Sequence, residues 1–331
     1  MNRAALLPAA PRPLIAWSRG FGIICVLAVA TLPVWPFANG FIVAVAIRAL
    51  IFIALGQAWN VIAGIGGQLS LGHGVFFGIG AYATALLFNL WNIPPWIGFL
   101  GGMLAAMGVA AVIGAITFRL RGVYFALATV VISLAFEKLA RFDVDLTGGD
   151  SGLAVRFLGD SLWGLQSRGP TPFLWPALAV VLGFRQITAS LLASRFGLEL
   201  QAVRDDEEAA AASGVAVFRT KLLGLLLSAA MTALVGALHV QFYLTIDPGN
   251  AFGLFQAIQI QLPALIGGLG TVAGPIIGGA IMVGANEATN WFSAVIGIDG
   301  LDVLCYGLLL LFIVMRAPEG IVGRLSARRR R

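Results

Sequence analysis

The sequence predicts an all-α integral membrane protein of about ten transmembrane helices. Of its 331 residues, 59% are hydrophobic and 11% charged, against about a quarter charged in soluble domains. The mean hydropathy is +0.94. Apolar runs close to the ~20 residues that cross a hydrocarbon core recur along nearly the whole chain, which neither a signal peptide nor a single anchor explains.

The formal charge of +6 does not point to nucleic acid, because the basic residues stand at segment ends rather than in one aromatic-interleaved patch. Cys25 and Cys305 fall in apolar runs and provide neither a disulfide framework nor a metal cluster.

Residues 1–19, with Arg3, Arg12 and Arg19, precede the first apolar run and are placed in the cytoplasm by the excess of positive charge on that side. Spans are then expected at 20–36, 40–64, 74–92, 95–117, 122–140, 173–193, 217–243, 252–267, 272–292 and 300–316. They make up one transmembrane domain, 20–316. The even number returns the chain to the cytoplasm, where the tail 317–331 carries Arg324 and Arg328 to Arg331. The connection 141–172 is expected outside, and the polar segment 194–216 inside.

One interruption stands out, "GIGGQLSLGHGVFFGIGAY", Gly64 to Tyr82. Glycines inside a helix cost about 1 kcal/mol each relative to alanine, so five of them between Gly64 and Gly74 favour non-helical backbone. Two readings stand. Gly66 to Gly74 is a break at membrane depth, with Gln68, Ser70 and His73 satisfying freed backbone groups or facing the pathway, or it is an ordinary cytoplasmic turn. Gly67, Leu69, Gly74 and Gly78 recur two hundred positions later as Gly267, Leu269, Gly274 and Gly278. This echo is either coincidence in a glycine-rich chain or the trace of two internal repeats in parallel orientation.

Polar residues at helical spacing supply further pathway candidates: Gln57 and Asn60 in the second span, Thr129, Ser133 and Glu137 in the fifth, Gln256 and Gln259 in the eighth. Interhelical hydrogen bonds use the same residue types, so each has a structural reading too. Gly224, Ser228, Thr232 and Gly236 form a small-residue stripe suited to close helix packing. Arg48 lies eight residues into its span, a costly position without a partner, and the sequence names none. His239 reads as a structural histidine.

The segment Ser194 to Lys221 reads as short helices. Asp205, Asp206, Glu207 and Glu208 suit a helix N-terminus, Ala209 to Ala212 propagate it, and Gly214 ends it. Four consecutive alanines give a smooth face, better explained by seating in a groove of another protein than by solvation alone.

"EAAAASG", Glu208 to Gly214, matches the EAA-x-x-x-G pattern of the coupling loop of bacterial ABC importer permeases. With "GQLSLGHGVFFGIGAYATALL", "LRGVYFALATVVIS", "LTGGDSGL", "LPALIGGLGTVAGPIIGG" and "PEGIVG", the chain resembles the LivM-type permease subunits of branched-chain amino-acid ABC importers, from about the second span to residue 323. The resemblance implies a bacterial inner-membrane importer subunit for leucine, isoleucine and valine. It also implies a second related permease, two cytoplasmic ATPases and an external substrate-binding protein as partners, with lipid around the spans. Glu208, Ala209, Ala210 and Gly214 are implied as the ATPase-docking residues of a cytoplasmic coupling helix. No G-x-x-x-x-G-K-[ST] phosphate loop occurs, so the chain is expected to bind no cofactor and to be no enzyme, with ATP used by the partner subunits.

Urea or short amides are alternative cargoes within the same wider family. An ion-coupled secondary transporter would want embedded carboxylates and leaves the coupling motif without a role. A membrane enzyme is disfavoured, because His73 and His239 form no H-E-x-x-H arrangement.

Overall fold

The computed structural model describes residues 26–35, 39–120, 122–161, 163–297, 304, 307–308 and 320–322. Eleven helices are labelled here: α1 Gly40–Asn60, α2 His73–Trp91, α3 Pro95–Thr117, α4 Val123–Phe142, α5 Thr171–Leu192, α6 Arg195–Asp205, α7 Glu207–Ala212, α8 Val217–Tyr243, α9 Pro248–Phe252, α10 Leu254–Gly267 and α11 Gly274–Ile296. A π-helical turn, Val61–Ile65, extends α1.

Local chemistry sets the ends. The Asn39 side chain caps α1 by accepting from Ile42 N at 2.9 Å, and Asn92 closes α2 in the left-handed region at φ 52°. α3, α5, α9 and α11 all carry proline in their first turn, where its missing N–H is no loss.

Among the described residues, six helices are long and apolar enough to cross a membrane: α1 with its π turn, α2, α3, α4, α5 and α8. Their limits agree with the expected spans to within about two or three residues, the scatter normal for helix ends. The expected span 300–316 falls largely outside the described residues, as do residues 20–25 and 36 of the first expected span, Arg3 and the basic tail.

The span expected at 252–267 is met by α10, which starts two residues later because Gly253, whose backbone is extended, separates it from the short α9. The 14 residues of α10 reach only about 21 Å, short of a hydrocarbon core of about 30 Å. Asp247 begins a separate helix by accepting from Asn250 N at 2.9 Å, so the chain from 247 to 267 descends in two steps.

The core is built around α1 and α8, with α2 wedged between α3 and α8. Gly80 of α2 lies so close to α8 that a β-carbon there would come within 2.0 Å of Ala233 O, and one on Gly236 of α8 within 2.1 Å of Phe77 O. On the other side of α2, Gly102 of α3 packs on the Gly80 backbone. Small residues thus let three helices approach backbone to backbone, the packing that drives association where lipid removes the hydrophobic incentive. α3 and α4 turn Leu100, Leu104, Val112, Ile116, Leu127 and Val131 outward, the composition of a lipid-facing surface.

α11 runs antiparallel to α1: Gly56 packs on Pro275, Gly279 on Ile53, and Arg48 Nη1 donates to Glu287 Oε1 at 2.6 Å. The costly arginine therefore has its partner, on a helix more than two hundred residues away. At the end of the molecule opposite α6, β1 Leu153–Ala154 pairs antiparallel with β2 Thr245–Ile246, pinning the 141–172 connection to the end of α8.

Candidate functional site

The glycine-rich interruption is non-helical from Gly66 to Gly72. It is recessed: Leu200 of α6, fully buried, touches the faces of both Gly66 and Gly224, and Gly224 lies about 10 Å along α8 from its start. The break is thus covered by α6. Trp59 Nε1 donates to Ser70 O at 2.7 Å, Gln68 N to Ile62 O at 3.0 Å, and Leu71 N to Thr129 Oγ1 at 3.0 Å. The freed backbone groups therefore have partners within the protein, as buried irregular backbone requires.

His73, the first residue of α2, is 1% exposed. Its Nδ1 lies 3.1 Å from Ser70 Oγ and its Nε2 2.8 Å from Ser228 Oγ. Ser228 Oγ–H is committed to Ala58 O at 2.7 Å, so Ser228 must accept from Nε2–H, which leaves Nδ1 to accept from Ser70. One tautomer of a neutral imidazole satisfies the whole chain from Ser70 to Ala58. His73 is thereby a fastener between α1, α2 and α8.

The second glycine-rich stretch, Gly268 to Ala273, is also non-helical, and it lies against the first. Asn60 Nδ2 donates to Thr271 O at 3.0 Å, and Gly270 N donates to Asn60 Oδ1 at 2.8 Å. A β-carbon on Gly64 would come within 2.4 Å of Gly270 N. α2 and α11 leave these breaks in the same direction, both opposite to α1. Asn60→Ala should leave Gly270 N and Thr271 O without this partner, at about 1–2 kcal/mol. The expected result is a lower thermal unfolding midpoint for the purified protein; an unchanged midpoint would mean that packing alone holds the two breaks together.

Beside them lies the polar segment. Ser194 caps α6, accepting from Gly197 N at 3.0 Å. Asp206 caps α7, accepting from Glu208 N and Ala209 N at 2.9 and 3.0 Å. α7 ends with Gly214 at φ +89°, Val215 N on Ala210 O and Gly214 N on Ala211 O, both at 3.0 Å, the paired bonds of a left-handed glycine C-cap. Glu208 and Ala209 are exposed and Ala210 is buried. Lys221 of α8, 1% exposed at its side chain, pairs with Glu207 and lies 5.9 Å over the Phe118 ring, so α7 is anchored to a long apolar helix. A groove of about 590 Å³ opens beside it, lined by Arg195, Phe196, Glu199, Gly214, Arg219 and Leu223 among others.

Two glycine-rich turns thus meet at one end of the long helices, next to a capped polar helix pair. A family model described as "Branched-chain amino acid transport system / permease component" matches residues 41–315. The chain belongs to this permease family. It is 27% identical over 325 residues to the high-affinity branched-chain amino acid transport system permease protein LivM of Escherichia coli K12, covering 90% of this chain and 73% of that protein. It is also 27% identical over 286 residues to LivH of Salmonella typhimurium, covering 82% and 90%. A probable LivM of Methanocaldococcus jannaschii is 24% identical, covering 81% and 84%. No solved structure matches. Membership and the apolar helices make this permease a multi-pass inner-membrane protein of the LivM type.

Of the residues singled out in the sequence, Asn60, Gln68, Ser70, His73, Thr129 and Ser133 gather at the first break. Ser133 Oγ donates to Phe252 O at 2.8 Å, and Thr129 and Ser133 share the buried face of α4. Glu137 stands apart, holding Arg141 at 2.8 Å. Gln57 is 1% exposed and its amide has no hydrogen-bond partner among the described residues. Gln256 is buried and Gln259 half-buried on α10.

Sequence reasoning missed three residues. Ser228 was legible only as part of a small-residue stripe, Lys221 only as the last residue of the polar segment, and Arg204, within that segment, carried no signal of its own. Each acts through a contact that spacing along one helix does not reveal.

Proposed function

We propose that this chain is a membrane-spanning subunit of an ATP-driven ABC importer for leucine, isoleucine and valine, forming part of the translocation pathway. The observation that carries this is the family match over 41–315, supported by relatives whose own names give branched-chain amino acid transport. In this reading the chain pairs with a second related permease, two cytoplasmic ATPases move it, and an external binding protein delivers the substrate. The chain binds no cofactor itself; ATP is consumed by its partners.

The α6–α7 segment, 194–216, is the cytoplasmic coupling loop, with Glu208, Ala209, Ala210 and Gly214 of α7 seated in a cleft of an ATPase. Its two caps and the Lys221–Glu207 anchor support this, because a helix that transmits force must be stiff and tied to a span. Both termini and α6–α7 lie on the cytoplasmic side and the β1–β2 end lies outside. Counting α10 and α11 with the six long helices, the expected spans 20–36 and 300–316, which lie partly outside the described residues, bring the bundle to about ten. The paired breaks, each followed by a helix running outward, are what a parallel internal repeat would produce. Gln57, Asn60, Gln68, Ser70, His73, Thr129, Ser133, Glu137, Gln256 and Gln259 are the candidate pathway residues, those around the first break foremost.

Uptake of labelled leucine by cells with and without the gene tests the substrate, with unlabelled isoleucine, valine and urea as competitors. Gene-dependent uptake suppressed by isoleucine and valine is the expected result. Gene-dependent transport of urea with none of leucine would overturn the substrate and leave the permease architecture in place.

A further inference from the structure

Four stretches far apart in sequence converge on one point. The first break and the second are joined by Asn60. Gly320, of the terminal "PEGIVG" motif, sits at φ +72° against the Gly267–Gly268 backbone. The fourth stretch is the end of α6. The Arg204 side chain lies along Gly67, where a β-carbon would fall 2.3 Å from Cγ. Its Nη1 donates to Gly64 O at 3.3 Å, and a β-carbon on Gly270 would lie 3.5 Å from the same nitrogen. Its Nε donates to Asp205 Oδ1 at 2.9 Å.

We propose that Arg204 is a positioning residue that joins α6–α7 to the two glycine breaks, so that movement of the coupling segment opens and closes the junction where those breaks meet. This rests on the reading of 194–216 as the ATPase-docking loop.

Non-helical glycine backbone changes φ and ψ without breaking a helical ladder, which suits a hinge or gate. A helix can drive such a gate only through contacts that differ between its two positions. Leu200 fills space between Gly66 and Gly224, an apolar contact that tolerates sliding. Arg204 adds a directional bond to the Gly64 carbonyl, in the π turn that leads into the first break, and Gly64 is itself packed against the Gly270 backbone of the second, so displacing α6 pulls on the point where the two meet. The glycines make this geometry possible: at Gly64, Gly67 and Gly270 a larger residue would push the three strands of chain apart.

The test uses the assembled transporter, full chain with its partners, reconstituted in vesicles, with leucine moved per ATP hydrolysed as the readout. Arg204→Met keeps the aliphatic run over Gly67 and removes the donor. The expected result is normal ATPase assembly, hydrolysis within about twofold of wild type and a fall of about tenfold in leucine per ATP. Arg204→Lys, which restores a donor, should recover the ratio to within about threefold. An unchanged ratio in Arg204→Met overturns the proposal, as do hydrolysis and transport falling in parallel with loss of bound ATPase, since Arg204 would then only support the fold or the docking. A wild-type complex without ATP-dependent leucine transport overturns the underlying reading instead.

Discussion

A Gly80→Val protein should fail to accumulate as a folded species in the membrane, the largest effect expected of any single substitution considered. The new β-carbon would lie 2.0 Å from Ala233 O and 2.6 Å from Ala233 Cα. Those are backbone atoms of α8, which cannot rotate away, and on the far side the Gly102 backbone of α3 blocks retreat. Overpacking in a tight core costs about 1–3 kcal/mol where side chains can yield; here nothing yields, so the loss should exceed that range. Gly108→Ala, on the exposed face of α3 with nothing within 4 Å, is the control and should gain up to about 1 kcal/mol from helix propensity. The measurement is the yield of monodisperse protein extracted from membranes. Wild-type yield from Gly80→Val would mean that α2 and α8 do not meet as described.

The second large effect is functional. Gly214→Pro combined with Glu208→Lys should leave insertion intact and reduce ATP-driven uptake by about tenfold or more. Gly214 is at φ +89° and donates its N–H to Ala211 O; proline needs φ near −65° and has no N–H, so the end of α7 must come apart. No atom lies within 4 Å of a β-carbon at Gly214, so packing elsewhere is spared. Lysine at Glu208 reverses the charge presented by the first turn of α7, unfavourably for the helix dipole. Membrane levels by immunoblot and ATPase stimulation by the binding protein complete the measurement. Normal uptake in the double variant would remove α7 from the coupling role.

Much of this fold was legible because membrane helices obey one dominant rule: apolar length. The eight expected spans between residues 40 and 292 each meet a helix, and at 252–267 the helix starts two residues late because the extended backbone of Gly253 separates it from the capped turn before it. Helix ends were legible where they depend on neighbours in sequence, as with Asp206 and Gly214. The partner of Arg48 was not, because α1 and α11 meet only through the global packing. The expected span 272–292 would leave Glu287 five residues from its end; α11 continues to Ile296, nine residues beyond it.

The candidate site divides the same way. Glycine spacing pointed to Gly66–Gly74 and to its echo, but not to their lying side by side, which rests on Asn60 and on the close approach of Gly64 to Gly270. The break is a turn between two helices that lies buried beneath α6. His73 was visible as an anomaly; its tie to Ser228 crosses 155 positions, beyond any local pattern.

The bond between Asn60 and Gly270 spans 210 positions, and that separation has a meaning in time. At about 5–20 residues per second, Asn60 leaves the ribosome roughly 10–40 seconds before its partner exists. Throughout that interval the first break has been made and its counterpart has not, so a polar amide must wait in a half-built bundle for the chain that will receive it. Closure of the junction is therefore a late event in the life of each molecule, and a chain cut short before residue 270 can hold every earlier helix and still lack it.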